Sequence, residues 1–189
     1  MMDFPTKPPK VLISEADLSD RIHSIAEQIN HDYKDSDCLV CIGILKGSVF
    51  FLVDLLKLVT VPVSIDFFQT SSYSSGTTPG EVRIRKDVEV SIRDCDVLLI
   101  EDIVDTGYTL RTILDLLKFR GARSVKLCAL LDKASRRKVD VTIDYRGFAI
   151  DDVFVVGYGL DLNQRYRNLP YIGVYENDGL DPGSDPEVG

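Results

Sequence analysis

Three carboxylates, Glu101, Asp102 and Asp105, fall within five residues, and Thr106, Gly107 and Thr109 follow at once. The all-apolar run 97–100 before them has the pattern of a strand buried on both faces of a parallel sheet. After them Leu110, Ile113, Leu114 and Leu117 supply a helical apolar stripe. The spacing predicts a strand, an acidic turn, a hydroxyl-and-glycine loop and a helix. Such a loop aims backbone N–H groups from a helix N-terminus, a ready site for a phosphate. Carboxylates alone beside that phosphate would repel it, so they call for a bridging magnesium ion or for the hydroxyls of a sugar. An aspartate helix cap would explain Asp105 and Thr106, but not Glu101 and Asp102 as well.

Other reactive side chains are sparser. Leu45-Lys46-Gly47-Ser48 sits between an apolar run and a helical stretch, a common place for glycine and a weak signal by itself. Lys133 ends an apolar run at 124–131 and reads equally well as a solvated charge. Cys38 and Cys41 form a C-x-x-C, a spacing that can bind zinc or cycle a disulfide. Both lie in a strand-like run, however, where residues three apart point to opposite faces. There is no second C-x-x-C, so neither role is expected. His23 and His31 are two helical turns apart, too far to share a metal, and are expected on the surface.

Several elements must position these groups. Ser14 with Asp17 marks a helix start, and Leu18, Ile22, Ile25, Ala26 and Ile29 carry one apolar face to about Tyr33. Strands are expected at 38–44 and 61–69, with a helix over 49–58 between them. Residues 70–80 have no periodicity and are expected to form a long lid-like loop. A hairpin returning from it is expected over 81–85 and 88–92. Gly121 is a helix C-cap signal, and 153–156 reads as one more core strand. Alternating strands and helices imply an α/β fold, with ligands at the carboxyl ends of the strands. From 177 onward Asp, Gly and Pro dominate, and 177–189 is expected to be a disordered tail behind one domain of 1–176.

Composition narrows the function. The chain has 189 residues, 44% hydrophobic and 28% charged, enough for one sizeable core. Twenty-two basic against 30 acidic residues give a net charge of −8, which argues against broad nucleic-acid binding. No apolar run approaches the roughly 20 residues of a membrane helix. The polar, proline-rich start at 1–10 lacks the apolar stretch of a signal peptide, so a cytoplasmic location is expected.

Residues 97–110 closely resemble the phosphoribosyl-pyrophosphate motif of the type I phosphoribosyltransferases: four apolar residues, two acids, two apolar residues, Asp-Thr-Gly. The Glu-Asp-Ile-Val-Asp-Thr-Gly form resembles the bacterial hypoxanthine-guanine phosphoribosyltransferases in particular. The likeness runs from about Val40 to Glu176, with each loop in the same order. It implies a twisted, mainly parallel sheet flanked by helices, with a small hood from the N- and C-terminal segments. It also implies transfer of the 5-phosphoribosyl group from phosphoribosyl pyrophosphate to N9 of hypoxanthine or guanine, with Mg2+ as cofactor and a homodimer or homotetramer as the assembly. A xanthine-preferring enzyme and a nucleotide-sensing regulator are the alternatives.

The resemblance also implies roles, position by position. Lys46, Gly47, Glu101, Asp102, Asp105, Thr106, Gly107, Tyr108, Thr109 and Arg167 would bind phosphoribosyl pyrophosphate, with a strained, sometimes cis, peptide before Lys46. Asp105 would be the acid/base at purine N7. Ser72 and Tyr73 would belong to the closing lid, which Pro79 is expected to stiffen. Lys133, Phe154, Val155 and Asp161 would bind the purine: Lys133 donates to the 6-oxygen, Phe154 stacks on the ring and Val155 meets its edge through the backbone. Glu101, Asp102 and Asp161 would serve the metal. Tyr108 departs from the lysine that some members carry there; its backbone, not its side chain, belongs to the phosphate cradle.

Overall fold

The first helix starts where Ser14 and Asp17 place it. The Ser14 hydroxyl accepts from the Asp17 N–H at 3.1 Å, and the Asp17 carboxylate accepts from the Ser14 N–H at 3.3 Å. Helix α1 (Glu15–Asp32) buries Leu18, Ile22, Ile25, Ala26 and Ile29, and leaves both histidines exposed. The computed structural model describes residues 8–72 and 82–175. Within them β1 (Lys10–Ile13) precedes α1. After it come β2 (Leu39–Leu45), α2 (Val49–Leu56), β3 (Val63–Ser72), β4 (Val82–Lys86), β5 (Asp96–Val104), α3 (Tyr108–Phe119) and β6 (Ser124–Asp132). The described chain closes with β7 (Tyr145–Ala149), β8 (Val155–Val156) and β9 (Ile172–Val174).

Six strands make one sheet in the order β4-β3-β2-β5-β6-β7, parallel throughout except for the β3–β4 hairpin. The two faces bury separate apolar clusters, one with α1 and α2, the other with α3. Both faces are thus covered, as the continuous apolar runs require. A second, antiparallel sheet, β1-β9-β8, joins the two ends of the chain. This is the expected hood.

Several expectations shift. Strand β5 runs through Glu101 and Asp102, so these acids lie in the strand and not in a turn beyond it. The ladder to β6 continues from Glu101↔Ala129 to Val104↔Asp132, and partner strands hold polar residues that local pattern assigns to loops. Likewise β3 extends to Ser72, which pairs with Val82; Thr70 to Ser72 belong to a strand rather than to the loop. Tyr73, the rest of that loop and the tail from 177 lie outside the described residues. The stretch 88–92 is not a strand. The sequence also hides β1, β7 and β9.

Cys41 packs into one core cluster and Cys38 against the other, the opposite faces expected of a strand. Cys38 forms a disulfide with Cys95, at the start of the neighbouring strand, while Cys41 and Cys128 are buried free thiols.

Residues 86–90 are fastened by Asp66 of β3, which is 7% exposed. Its carboxylate accepts from the N–H groups of Phe67, Glu89 and Val90 and from Lys86 Nζ at 3.2 Å. Burial pushes this carboxyl up, but the backbone donors and Lys86 outweigh it and hold the group at about 2. A depressed carboxyl stabilises the fold above its unfolded value near 4, and the gain is lost as pH falls from about 4 to about 2. Asp66→Asn should therefore flatten that part of the stability–pH curve, worth about 1–2 kcal/mol, in urea melts from pH 2 to 5. An unchanged acid limb would exclude the anchor.

Candidate active site

Strands β2, β5 and β6 all deliver their carboxyl ends to one edge of the sheet, and the expected site residues gather there. On β5, Glu101 and Asp102 are partly buried. Burial pushes the Glu101 carboxyl well above the usual carboxylate range, and Asp102 beside it adds to the effect. Burial likewise lifts Asp102 to about 6, against the Ile103 N–H and Arg167, which favour its charged form. Glu101 Oε2 is sealed from solvent and has no hydrogen-bond partner. Such a pair is short of a cation or of hydroxyl donors.

Beyond β5, Gly107 takes φ +90° and stands at the N-cap of α3. No side chain caps this helix, and its first turn holds no acidic residue. The leading N–H groups and the positive end of the dipole are therefore left for an anion, beside the hydroxyls of Thr106 and Thr109. The Thr106 carbonyl accepts from the N–H groups of Lys138 and Val139 at 3.0 and 3.1 Å, which fixes the loop. Tyr108 is 39% exposed, so its side chain points clear of the core.

The loop after β2 is held from two sides. The Leu45–Lys46 peptide is cis. A Cβ on Gly47 would lie 1.6 Å from Asp102 Oδ2, and a Cβ on Gly159 would lie 2.0 Å from the Gly47 carbonyl. Gly159 has φ +99°. Two glycines thus let the Lys46-Gly47 backbone slide between the β5 acids and the 157–160 segment. Arg167 locks that segment: Nη1 donates to the Gly159 carbonyl at 2.6 Å and Nη2 pairs with Asp161 Oδ1 at 2.6 Å. Lys46 Nζ reaches the same group, donating to Gln164 Oε1 at 3.0 Å.

The third cluster surrounds Asp105. Arg136 Nε donates to Asp105 Oδ1 at 2.8 Å, and its Nη1 reaches Asp152 Oδ2 at 3.4 Å. Lys133 Nζ lies 3.8 Å from Asp152 Oδ1, and the Lys133 side chain is only 11% exposed, unlike a solvated lysine. The residue before it, Asp132, is buried and bound by Arg137 and Arg146, which steadies the strand end. Phe154, read blind as core, is instead 38% exposed, edge-on to Tyr175 with ring centroids 6.2 Å apart. Val155 is buried in the hood, opposite Val174.

The structure therefore brings together Lys46, Gly47, Asp102, Asp161 and Arg167 in one contact chain, and Asp105 with Lys133 through Arg136 and Asp152. Sequence reasoning missed Arg136, Asp152 and Gln164. Arg136 has no local signal of its own beyond its basic neighbours Arg137 and Lys138, and its partner is 31 residues away.

Residues 14–163 match the phosphoribosyl transferase domain family. The hypoxanthine-guanine phosphoribosyltransferase of Staphylococcus epidermidis is 52% identical over 165 residues, covering 87% of this chain and 92% of the relative. That of Bacillus subtilis is 46% identical over 166 residues, with the same shares. The bifunctional protein TilS/HprT of Listeria monocytogenes is 49% identical over 166 residues, and there the match spans 26% of the relative's length. A crystal structure of a hypoxanthine phosphoribosyltransferase from Staphylococcus aureus superposes with a TM-score of 0.85 at 48% identity, over 89% of this chain and 91% of that one.

Proposed function

Because the chain belongs to the phosphoribosyl transferase family, we propose that it is a purine-salvage enzyme. It moves the 5-phosphoribosyl group from phosphoribosyl pyrophosphate to N9 of hypoxanthine or guanine, giving IMP or GMP and pyrophosphate. The relatives named hypoxanthine-guanine phosphoribosyltransferase support this reaction. The observation that carries it in the chain itself is the convergence of an uncapped helix N-terminus, two raised carboxyls and a nearly buried lysine at one sheet edge.

The residues divide the work. The N–H groups and hydroxyls of 105–109 hold the 5-phosphate. Glu101 and Asp102 accept from the ribose hydroxyls. Asp105 takes or gives the proton at purine N7 as the ring rearranges. Lys46 and Arg167 meet the departing pyrophosphate. The C1–O bond breaks ahead of full attack, so the sugar passes through an oxocarbenium-like state that water would trap, and the site must exclude water while it reacts.

Among the described residues no group of three His, Cys, Asp or Glu side chains stands ready as a complete metal cage. The unpartnered Glu101 Oε2 and the raised Asp102 nonetheless fit a divalent cation that takes its other ligands from the substrate. Glu101, Asp102 and Asp161 would serve Mg2+, whose charge eases pyrophosphate departure. The domain comprises 1–176, assembles as a homodimer or homotetramer and works in the cytoplasm. No helix among the described residues is long and apolar enough to cross a membrane.

One assay tests the reading: turnover of hypoxanthine, guanine, xanthine and adenine with phosphoribosyl pyrophosphate and magnesium. Hypoxanthine and guanine should react and adenine should not, because the Lys133 ammonium has only donors to offer. Lys133→Ala should erode the preference over adenine by about 10- to 100-fold. Unchanged discrimination would refute the role of Lys133, and no turnover of any base would refute the enzyme.

A further inference from the structure

Residues 162–165 form a two-residue hairpin, with Leu162 and Arg165 exchanging backbone hydrogen bonds at 3.2 and 3.1 Å. Its central residues, Asn163 and Gln164, have φ +52° and +62°. A turn with both central residues left-handed favours Asn-Gly, because glycine takes the second position without strain. Asn suits the first position here, but a long side chain occupies the second, where it is conformationally disfavoured. That side chain ends on functional cations. Gln164 Oε1 accepts from Lys46 Nζ at 3.0 Å and from Arg167 Nη2 at 3.3 Å, while the Gln164 N–H donates to Asp161 Oδ2 at 2.7 Å.

We propose that Gln164 is a displaceable placeholder for pyrophosphate: its amide oxygen occupies the Lys46 and Arg167 donors until the diphosphate arrives, and reclaims them when it leaves. This rests on the assignment of those two cations to pyrophosphate. A neutral carbonyl oxygen is a weaker partner for two cations than a polyanion, so the diphosphate displaces it. The competition nevertheless lowers diphosphate affinity, which favours release of the product. Gln164 touches neither the purine side nor Asp105 among its hydrogen bonds, so it should leave base recognition alone.

The test is calorimetric titration of the full chain with magnesium pyrophosphate. Gln164→Gly removes the competitor and supplies the residue the turn prefers; it should bind pyrophosphate about 5- to 10-fold more tightly, with a melting temperature no lower than wild type. Gln164→Asn, too short to bridge both cations, should act in the same direction. Gln164→Glu makes the competitor an anion and should weaken binding by about 10-fold or more, while the KM for hypoxanthine stays within about two-fold. Unchanged or weaker binding by Gln164→Gly and Gln164→Asn would overturn the placeholder and leave the transferase standing. A Lys46→Ala variant that binds pyrophosphate as well as wild type would overturn both the placeholder and the cation assignment beneath it.

Discussion

Asp105→Asn should lower turnover of hypoxanthine and guanine by about 10²- to 10⁴-fold and leave the fold in place. The amide keeps the shape of the carboxylate but cannot take a proton from purine N7. The fold should tolerate the change because the Asp105 side chain is 43% exposed and its ion pair with Arg136 joins two half-exposed groups. The proposed 5-phosphate contacts come from backbone N–H groups and threonine hydroxyls, so the KM for phosphoribosyl pyrophosphate should move far less than kcat. Steady-state kinetics in both substrates, with a thermal melt as control, separates the two. Wild-type turnover would exclude the acid/base role; a large rise in KM alone would make Asp105 a binding group.

Gly47→Ala should be as damaging through geometry alone. The added Cβ would stand 1.6 Å from Asp102 Oδ2, and the opposite side of the peptide is already closed by Gly159. Neither wall can yield cheaply, since one is a strand-borne carboxylate and the other is backbone braced by Arg167. The Lys46-Gly47 backbone must shift, and a displacement of about 1 Å in a positioning loop can cost about 10²-fold. We expect kcat/KM for phosphoribosyl pyrophosphate to fall by at least about 10²-fold, with a stability loss of about 1–3 kcal/mol. A variant within about two-fold of wild type would show that the loop adjusts freely.

The 101–109 stretch was legible because its chemistry is local: acids, hydroxyls, a positive-φ glycine and a helix stripe fall in one run. Lys133 and Phe154 could be proposed only through family resemblance, since an isolated lysine and a hydrophobic triplet have commoner uses. Their exposures, 11% and 38%, turn on what the hood and β6 do together. The ends of β3 and β5 were misjudged because polar residues there are held by neighbouring strands. Strand β7 is short and has a strongly exposed arginine after the buried Tyr145, a pattern too brief to announce itself. The Cys38–Cys95 pair became visible only once β2 and β5 proved to be neighbours, with Leu39 opposite Asp96. Gln164 and Lys46 are 118 residues apart, and nothing near either one points to the other.

The hood sets an order of events during synthesis. Its middle strand is β9, which pairs with β1 on one side and β8 on the other. Lys10 lies opposite Val174, so β1 is made long before the strand it pairs with. The six-stranded sheet is complete by Ala149, and with it the loop assigned to the 5-phosphate and the ribose hydroxyls, whereas Asp161 and Arg167 follow later in the chain. A nascent chain can therefore assemble its sheet and 5-phosphate loop before the wall carrying Phe154 and Val155 gains its partner strand, β9.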